Sequence, residues 1–412
     1  MSAPDVPDEQ RNWTHLAALL IGAMAIGVVT GLVVLALEHL VEDVIHEIFE
    51  APLWVPAVVV FAGAGATALV TRAIGGRSTA STEVYVEQFH HAEPDMDIKN
   101  APGRVLAAFT TLGSGAPLGL EGPAVYTGSA VATFIHRRWS VLNGEAFHAL
   151  LIAGSAAGIA AVFKAPAAGA IFAMEVPFRG RFAGERVLPA IFGAASGYLT
   201  MALVDGVESE IEVPLIELTV ERAFLSAVLG LAVGIAAIGA IWLVTTAEHA
   251  TSRFPAGIRA VAAGGALAAI YALGRGMTGE SLALTSGNSV IDWAIKPDHA
   301  VLVLLGVFAL RAVGPAVSIA GGGVGGLFIP LMAAGAVVGR LFADASSTDD
   351  VVLYVVVGAA TMLGAGYAVP LTGVVFVAEY TGQANVIVPA LIAMAVARLI
   401  VRNRSVSPAQ RP

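Results

Sequence analysis

The sequence predicts an all-α polytopic membrane protein built as two related halves with interrupted, re-entrant helices. Three observations predict it. Hydrophobic residues make up 57% of the 412 and charged residues only 13%, too little polar surface to coat a soluble globule of this length. Uncharged runs at 16–37, 51–71, 223–247, 312–339 and 351–378 each reach the roughly 20 residues that cross a bilayer. The two longest contain Gly and Pro clusters, which a lone lipid-facing helix tolerates poorly because freed backbone groups find no water there. They read as broken helices packed inside protein.

From the N-terminus, a polar segment carrying Asp5, Asp8 and Glu9 with one base, Arg11, precedes the first apolar run. It lacks a small-residue cleavage site and reads as leading into a retained span. Helices are expected at 15–40, 53–75, 79–91, 103–113, 121–136, 146–158, 166–177, 186–205, 219–248, 257–275, 299–312, 327–342, 350–364, 370–380 and 385–402. An acidic stretch at 208–221, with Pro214 at its centre, reads as an extramembrane linker. It would divide a single transmembrane domain into a first repeat, 13–207, and a second, 222–404, with short polar termini. The chain has no cysteine, so disulfides and Cys-ligated metals are excluded. A net charge of −9 argues against nucleic acid as a partner. The lipid bilayer is the expected environment.

The halves resemble each other. APAAGAIFAME at 165–175 aligns without a gap to VPLTGVVFVAE at 369–379, with Pro, Gly, Phe and Glu shared at an offset of 204 (Pro166 to Pro370). GLEGP at 119–123 pairs with GLFIP at 326–330 at an offset of 207 (Gly119 to Gly326). If an odd number of crossings separates the copies, they run antiparallel and their helix starts meet near the membrane centre. Each motif places glycines just before a helix with proline in its first turn. The N–H groups of such a terminus bind anions with partial charge alone, which suits a pore because the ion must also leave. Lone Gly-x-x-Gly patterns more often serve close helix packing; the duplication and an adjoining acid favour an ion site here.

That acid is Glu121. An intramembrane carboxylate is a functional hypothesis by default, and at a helix start it competes with an anion for the same N–H groups. Protonation removes its charge and its hold, which links pH to anion flux; a plain N-cap is the alternative.

At these residues the chain resembles the CLC family of chloride channels and chloride/proton antiporters, of the prokaryotic type without regulatory nucleotide-sensing domains. GLEGP is similar to the family's GxEGP, whose Glu gates; GGLFIP at 325–330 is similar to GxFxP; FKAP at 163–166 followed by Glu175 is similar to its FNAP helix. The resemblance, from about residue 78 to 379, implies the CLC-type fold of two inverted-topology helical repeats with discontinuous helices. It further implies chloride and similar small anions as substrate, protons at the gate, and a homodimer with one pore per subunit, its interface near 166–200 and 370–400. The implied location is the plasma membrane of a prokaryote. Implied anion-binding positions are Thr79, Gly119, Leu120, Gly122, Gly326, Leu327, Phe328, Ile329 and Ser407. No cofactor, no metal and no enzymatic activity are expected.

The chain departs from the family pattern at several points. Thr79, within STAST at 78–82, stands where the family's GSGIP has serine. The tail 404–408 has no tyrosine, and Ser407 is the remaining hydroxyl. Val176 occupies the position of the internal proton glutamate that exchangers carry, leaving Glu175 as a candidate proton path. Lys164 replaces the usual Asn, adding positive potential to the inner vestibule or snorkelling at a helix end. Leu120 replaces Arg. Val176 and the tail favour passive, channel-like conduction; chloride/proton exchange, or fluoride/proton exchange, is the alternative, and a non-transporting scaffold would leave the ion-site residues unexplained. Glu83, Glu87, His90 and His91 share a helix face at i, i+4 spacing, but no HExxH pattern is present and a solvated edge is the expected reading.

Overall fold

The computed structural model describes residues 8–75, 81–91, 95–139, 146–206 and 217–412, with side chains from residue 13. The linker expected at 208–221 therefore lies outside the described residues as far as 216. Sixteen α-helices run in order among the described residues: α1 (Asp8–Glu50), α2 (Val55–Ala73), α3 (Thr82–Phe89), α4 (Ala101–Leu112), α5 (Glu121–Arg138), α6 (Ala146–Phe163), α7 (Pro166–Glu175), α8 (Val187–Asp205), α9 (Val220–Thr251), α10 (Ala256–Thr278), α11 (Asn288–Ile295), α12 (Val301–Ala320), α13 (Phe328–Ser346), α14 (Val351–Gly366), α15 (Pro370–Thr381) and α16 (Ile387–Val401). Nine of the described helices are long and apolar enough to cross a bilayer. Large apolar side chains face outward on them, among them Leu231, Leu273 and Leu302, because lipid replaces water as their solvent.

Two expectations about the elements change. The short helix α11 was not foreseen, since eight residues with a single polar N-terminus give a weak periodic signal. The α12 helix continues to Ala320 through Pro315, where a break was expected; neighbouring helices make a proline tolerable within a membrane.

The core lies where α5, α6, α13 and α14 meet. It is built from small residues, so that backbones approach closely. A Cβ on Gly128 of α5 would stand 2.0 Å from the Gly154 carbonyl oxygen of α6, and one on Gly154 would stand 2.2 Å from the Gly128 oxygen. The second half repeats the arrangement: a Cβ on Gly335 of α13 would lie 2.4 Å from the Gly358 oxygen of α14, and the reverse approach is 2.5 Å. Gly335 follows Gly128 by 207 residues and Gly358 follows Gly154 by 204, the two offsets of the sequence repeat. Around this core α1 packs on α6 and α8, as α9 packs on α14 and α16.

The α7 and α15 helices are antiparallel mates. The Glu379 carboxylate accepts from the Ala167 and Ala168 N–H groups at 2.9 and 2.7 Å. The Glu175 carboxylate accepts from Leu371 and Thr372 N–H at 3.0 and 2.9 Å, and from the Thr372 hydroxyl at 2.7 Å. Each C-terminal acid thus caps the N-terminus of the other helix, where orphan N–H groups and the helix dipole favour it. Such reciprocity requires the two copies to run in opposite directions, so the repeat is inverted.

Candidate functional site

The two glycine turns meet at the centre. Gly119 N–H donates to the Gly326 oxygen at 2.9 Å, and Gly326 N–H donates to the Gly119 oxygen at 2.7 Å. This antiparallel bridge sets the starts of α5 and α13 against each other, each with proline as its third residue (Pro123 and Pro330). Glu121, first residue of α5, is 1% exposed. Its Oε1 accepts from the Phe328 N–H of the opposite half at 2.5 Å, while its Oε2 is buried with no hydrogen-bond partner.

The glycines make room for that carboxylate. A Cβ on Gly119 would come within 1.9 Å of Glu121 Oε2, and one on Gly326 within 2.2 Å of Oε1. At Gly122 a Cβ would press on the Gly325 and Gly326 backbone at 3.0 Å. The Phe328 amide faces Glu121, whereas its ring is fully buried and stacks on Phe163 at 4.5 Å between centroids, with Phe376 at 5.0 Å and Phe172 at 5.9 Å. Phe172 and Phe376 are equivalent positions of the repeat. The aromatic cluster holds the amide, and the amide holds the carboxylate.

Two cavities approach this point from opposite ends. The first, of about 320 Å³, is lined by Thr71, Thr82, Glu83, Glu248, Arg259 and Tyr367 and reaches Gly325, Gly326 and Leu327. The second, of about 370 Å³, is lined by Glu38, His39, Glu42, Lys164, Asp205 and Asn288. It continues past Phe163 into a narrower space of about 120 Å³ lined by Leu118, Leu120 and Ile329. Leu327 thus belongs to one cavity and Leu120 and Ile329 to the other, with Glu121 between them. A carboxylate in this position occupies a helix N-terminus that would otherwise attract an anion.

The remaining sequence-derived positions fall as follows. Thr79 lies outside the described residues. Ser407 is buried, with its hydroxyl near Glu83, and its neighbours Val406 and Pro408 line the first cavity. Val176 is fully buried, and its carbonyl accepts from the Gln410 amide at 2.9 Å. Both oxygens of Glu175 are engaged by the start of α15, as described. Lys164 lines the second cavity, away from the Tyr367 side.

Sequence reasoning missed Tyr367. It is 4% exposed, lines the first cavity, and its hydroxyl accepts from the Leu327 N–H at 3.2 Å. The signal was present: extended upstream by two residues, the 204 offset pairs Phe163-Lys164-Ala165-Pro166 with Tyr367-Ala368-Val369-Pro370. Lys164 (φ 50°) and Ala368 (φ 59°) share the left-handed conformation, so the turns match as well. Phe163 and Tyr367 face opposite cavities from equivalent positions. Glu83 was also misread. It is not a solvated edge: it lines the first cavity, half-buried, and accepts from Ala409 N–H at 3.1 Å.

Residues 67–402 match the family described as voltage gated chloride channel. An H(+)/Cl(-) exchange transporter ClcA of Citrobacter koseri is 28% identical, covering 93% of this chain and 85% of its own. One of Salmonella arizonae is 29% identical with the same coverage. Among solved structures, a slow cyanobacterial Cl-/H+ antiporter superposes with a TM-score of 0.83 at 18% identity, covering 93% of this chain and 94% of its own. A CLC-type fluoride/proton antiporter gives 0.83 at 22%, covering 96% and 98%. At these identities the structural likeness establishes the fold.

Proposed function

The chain belongs to the voltage-gated chloride channel family, and we propose that within it the chain is a chloride/proton exchanger gated by Glu121. One observation carries this reading: the Glu121 carboxylate sits on the Phe328 amide of the opposite half and separates the two cavities. Ionised, it occupies the anion's place; protonated, it loses its charge and yields the Phe328 amide, and the Ile329 amide beside it, to chloride. Gly119, Leu120, Gly122 and Gly326 shape the passage. Passive conduction, favoured by Val176 and the tyrosine-free tail, fits less well. The passage is occluded at Glu121, Tyr367 supplies an aromatic hydroxyl on the first-cavity side, and relatives named as exchangers match over nearly the whole chain.

Orientation follows from charge. Arg259 in the first turn of α10 lines the first cavity together with the tail residues Val406 and Pro408; Arg253 just before α10, Arg179 and Arg186 between α7 and α8, and Arg402, Arg404 and Arg411 in the tail belong to the segments that adjoin it. Glu38, Glu42 and Asp205 line the other. Basic loops stay cytoplasmic, so the first cavity opens to the cytoplasm. Glu175 acts in this reading as a helix cap, not as a proton carrier. The exposed faces of Leu188, Ile191, Leu199, Leu391 and Leu399 would be covered in a homodimer with one passage per subunit.

The test is reconstitution in liposomes under an outward chloride gradient, with chloride efflux and internal pH recorded together. Protons driven uphill by chloride are the expected result. Chloride efflux without proton movement would return the passive reading, and no chloride flux at all would remove both.

A further inference from the structure

Exchange needs a group that collects protons on the cytoplasmic side, and the position after Glu175 is a valine. Among the described residues the buried acids near the passage are few, and their geometry sorts them. Glu121 is the gate. Glu175 and Glu379 spend both oxygens on the N-termini of α15 and α7. Glu83 alone combines partial burial with a place on the cytoplasmic cavity wall; Glu248, across the same cavity, is exposed at its rim.

The surroundings of Glu83 tie it to the missing acid. The C-terminal tail runs back beneath α7: Arg411 N–H donates to the Pro177 oxygen at 3.2 Å, and Arg179 N–H donates to the Arg411 oxygen at 2.7 Å. Gln410 spans from the Val176 carbonyl to the Tyr367 carbonyl at 2.9 and 2.8 Å. Its neighbour Ala409 donates to the Glu83 carboxylate. Glu83 is thus held one tail residue from the strap that joins Val176 to Tyr367. Tyr367 lines the same cavity as Glu83, and its hydroxyl binds the Leu327 amide, next to the Phe328 amide that holds Glu121.

We propose that Glu83 is the cytoplasmic proton-loading residue of this exchanger, standing in for the acid that Val176 replaces. This rests on the exchange reading above. Glu83 takes a proton from cavity water, the proton passes by way of the Tyr367 hydroxyl and intervening water to the Glu121 carboxylate, and Glu83 is left ionised for the next cycle. The groups facing it are Glu87 on its own helix, Glu248 from α9, Arg259 from α10, Tyr367 after α14 and the Ser407 hydroxyl from the tail. The α3 helix lies outside the candidate spans, and burial pushes the Glu83 carboxyl up to about 7, with Glu87 and Glu248 adding to the rise and Ser407 and Ala409 opposing it. A proton carrier works best with its midpoint near the ambient pH.

The experiment measures chloride and proton fluxes in liposomes for the parent, Glu83→Gln, Glu83→Asp and Glu87→Gln. Glutamine keeps the oxygen that Ala409 binds but cannot carry a proton. Its proton-to-chloride ratio is expected to fall about tenfold or more while chloride still moves; Glu83→Asp retains coupling and Glu87→Gln keeps the parent's proton-to-chloride ratio. A parent that couples and a Glu83→Gln protein with the parent's ratio overturn this proposal and leave exchange standing. A parent that moves chloride without protons overturns both. If Glu83→Gln is not recovered monodisperse, Glu83→Asp decides: a displaced pH profile of proton flux supports the proposal, and an unchanged one overturns it.

Discussion

Glu175 and Glu379 cap each other's helices: each carboxylate binds the first N–H groups of the helix that carries the other. An inverted pair of short helices inside a membrane leaves two N-termini without water, and a carboxylate from the mate is the group that satisfies them. Glu175 has the third bond, to the Thr372 hydroxyl, and is the more buried. Glu175→Gln presents an amide N–H to donors it must accept from, at a cost of about 1–3 kcal/mol for a buried charged hydrogen bond lost. Thermal unfolding in detergent should show a larger loss for Glu175→Gln than for Glu379→Gln. Equal effects would deny Glu175 the greater structural share.

The glycine bridge predicts a coupling between residues. Gly326→Ala places a methyl where Glu121 Oε1 lies, so it expels the carboxylate before it disturbs the backbone, whose φ is unremarkable at this position. Gly326→Ala should behave as a gate held open, with chloride flux raised at neutral pH. In a Glu121→Ala background the same change should have little further effect, giving a double-mutant cycle with a coupling of about 1 kcal/mol or more. Additive effects on flux would mean that Gly326 matters for packing alone.

The part of this architecture legible in the sequence is the part imposed by short-range chemistry. Glycines before a helix start, a proline within its first turn and a lone acid in an apolar run each announce themselves, and the offsets of 204 and 207 announce the repeat. Inversion was less visible in the residues themselves, because direction is a property of crossings and no residue encodes it; only the family resemblance implied it, and the exchange of partners between Glu175 and Glu379 bears it out. Tyr367 was missed because the aromatic hydroxyl was sought in the tail, whereas it arises from the turn before α15. Glu83 was misassigned because i, i+4 spacing with Glu87 and His90 describes one helix face, while its burial is set by the tail, some 326 residues away.

Tyr367 should restrict the cytoplasmic approach to the gate. Its ring is packed at 6.2 Å from Phe172 and its hydroxyl engages the Leu327 amide. Tyr367→Ala removes both, joining the cavity to the anion site, so anions can enter while Glu121 is still turned away. Faster chloride flux with a lower proton-to-chloride ratio is expected in liposomes. Tyr367→Phe, which keeps the ring, should leave chloride flux within about twofold and alter coupling more than speed. A parent-like ratio in both variants would show that Tyr367 gates nothing.

Glu121→Gln separates charge from shape. Glutamine fills the same space on the Phe328 amide, yet it neither ionises nor takes up a proton, and it no longer repels an approaching anion. In the parent, chloride flux should rise as pH falls, because protonation discharges the Glu121 carboxylate and weakens its competition with chloride. The variant should resemble the parent's protonated form at every pH. Its chloride flux should be flat across the range in which the parent's changes, and its proton movement should be lost. Efflux measured between about pH 5 and pH 8 makes the comparison. A Glu121→Gln protein that retained the parent's pH profile would place the titrating gate elsewhere, with Glu83 the next carboxylate along the passage.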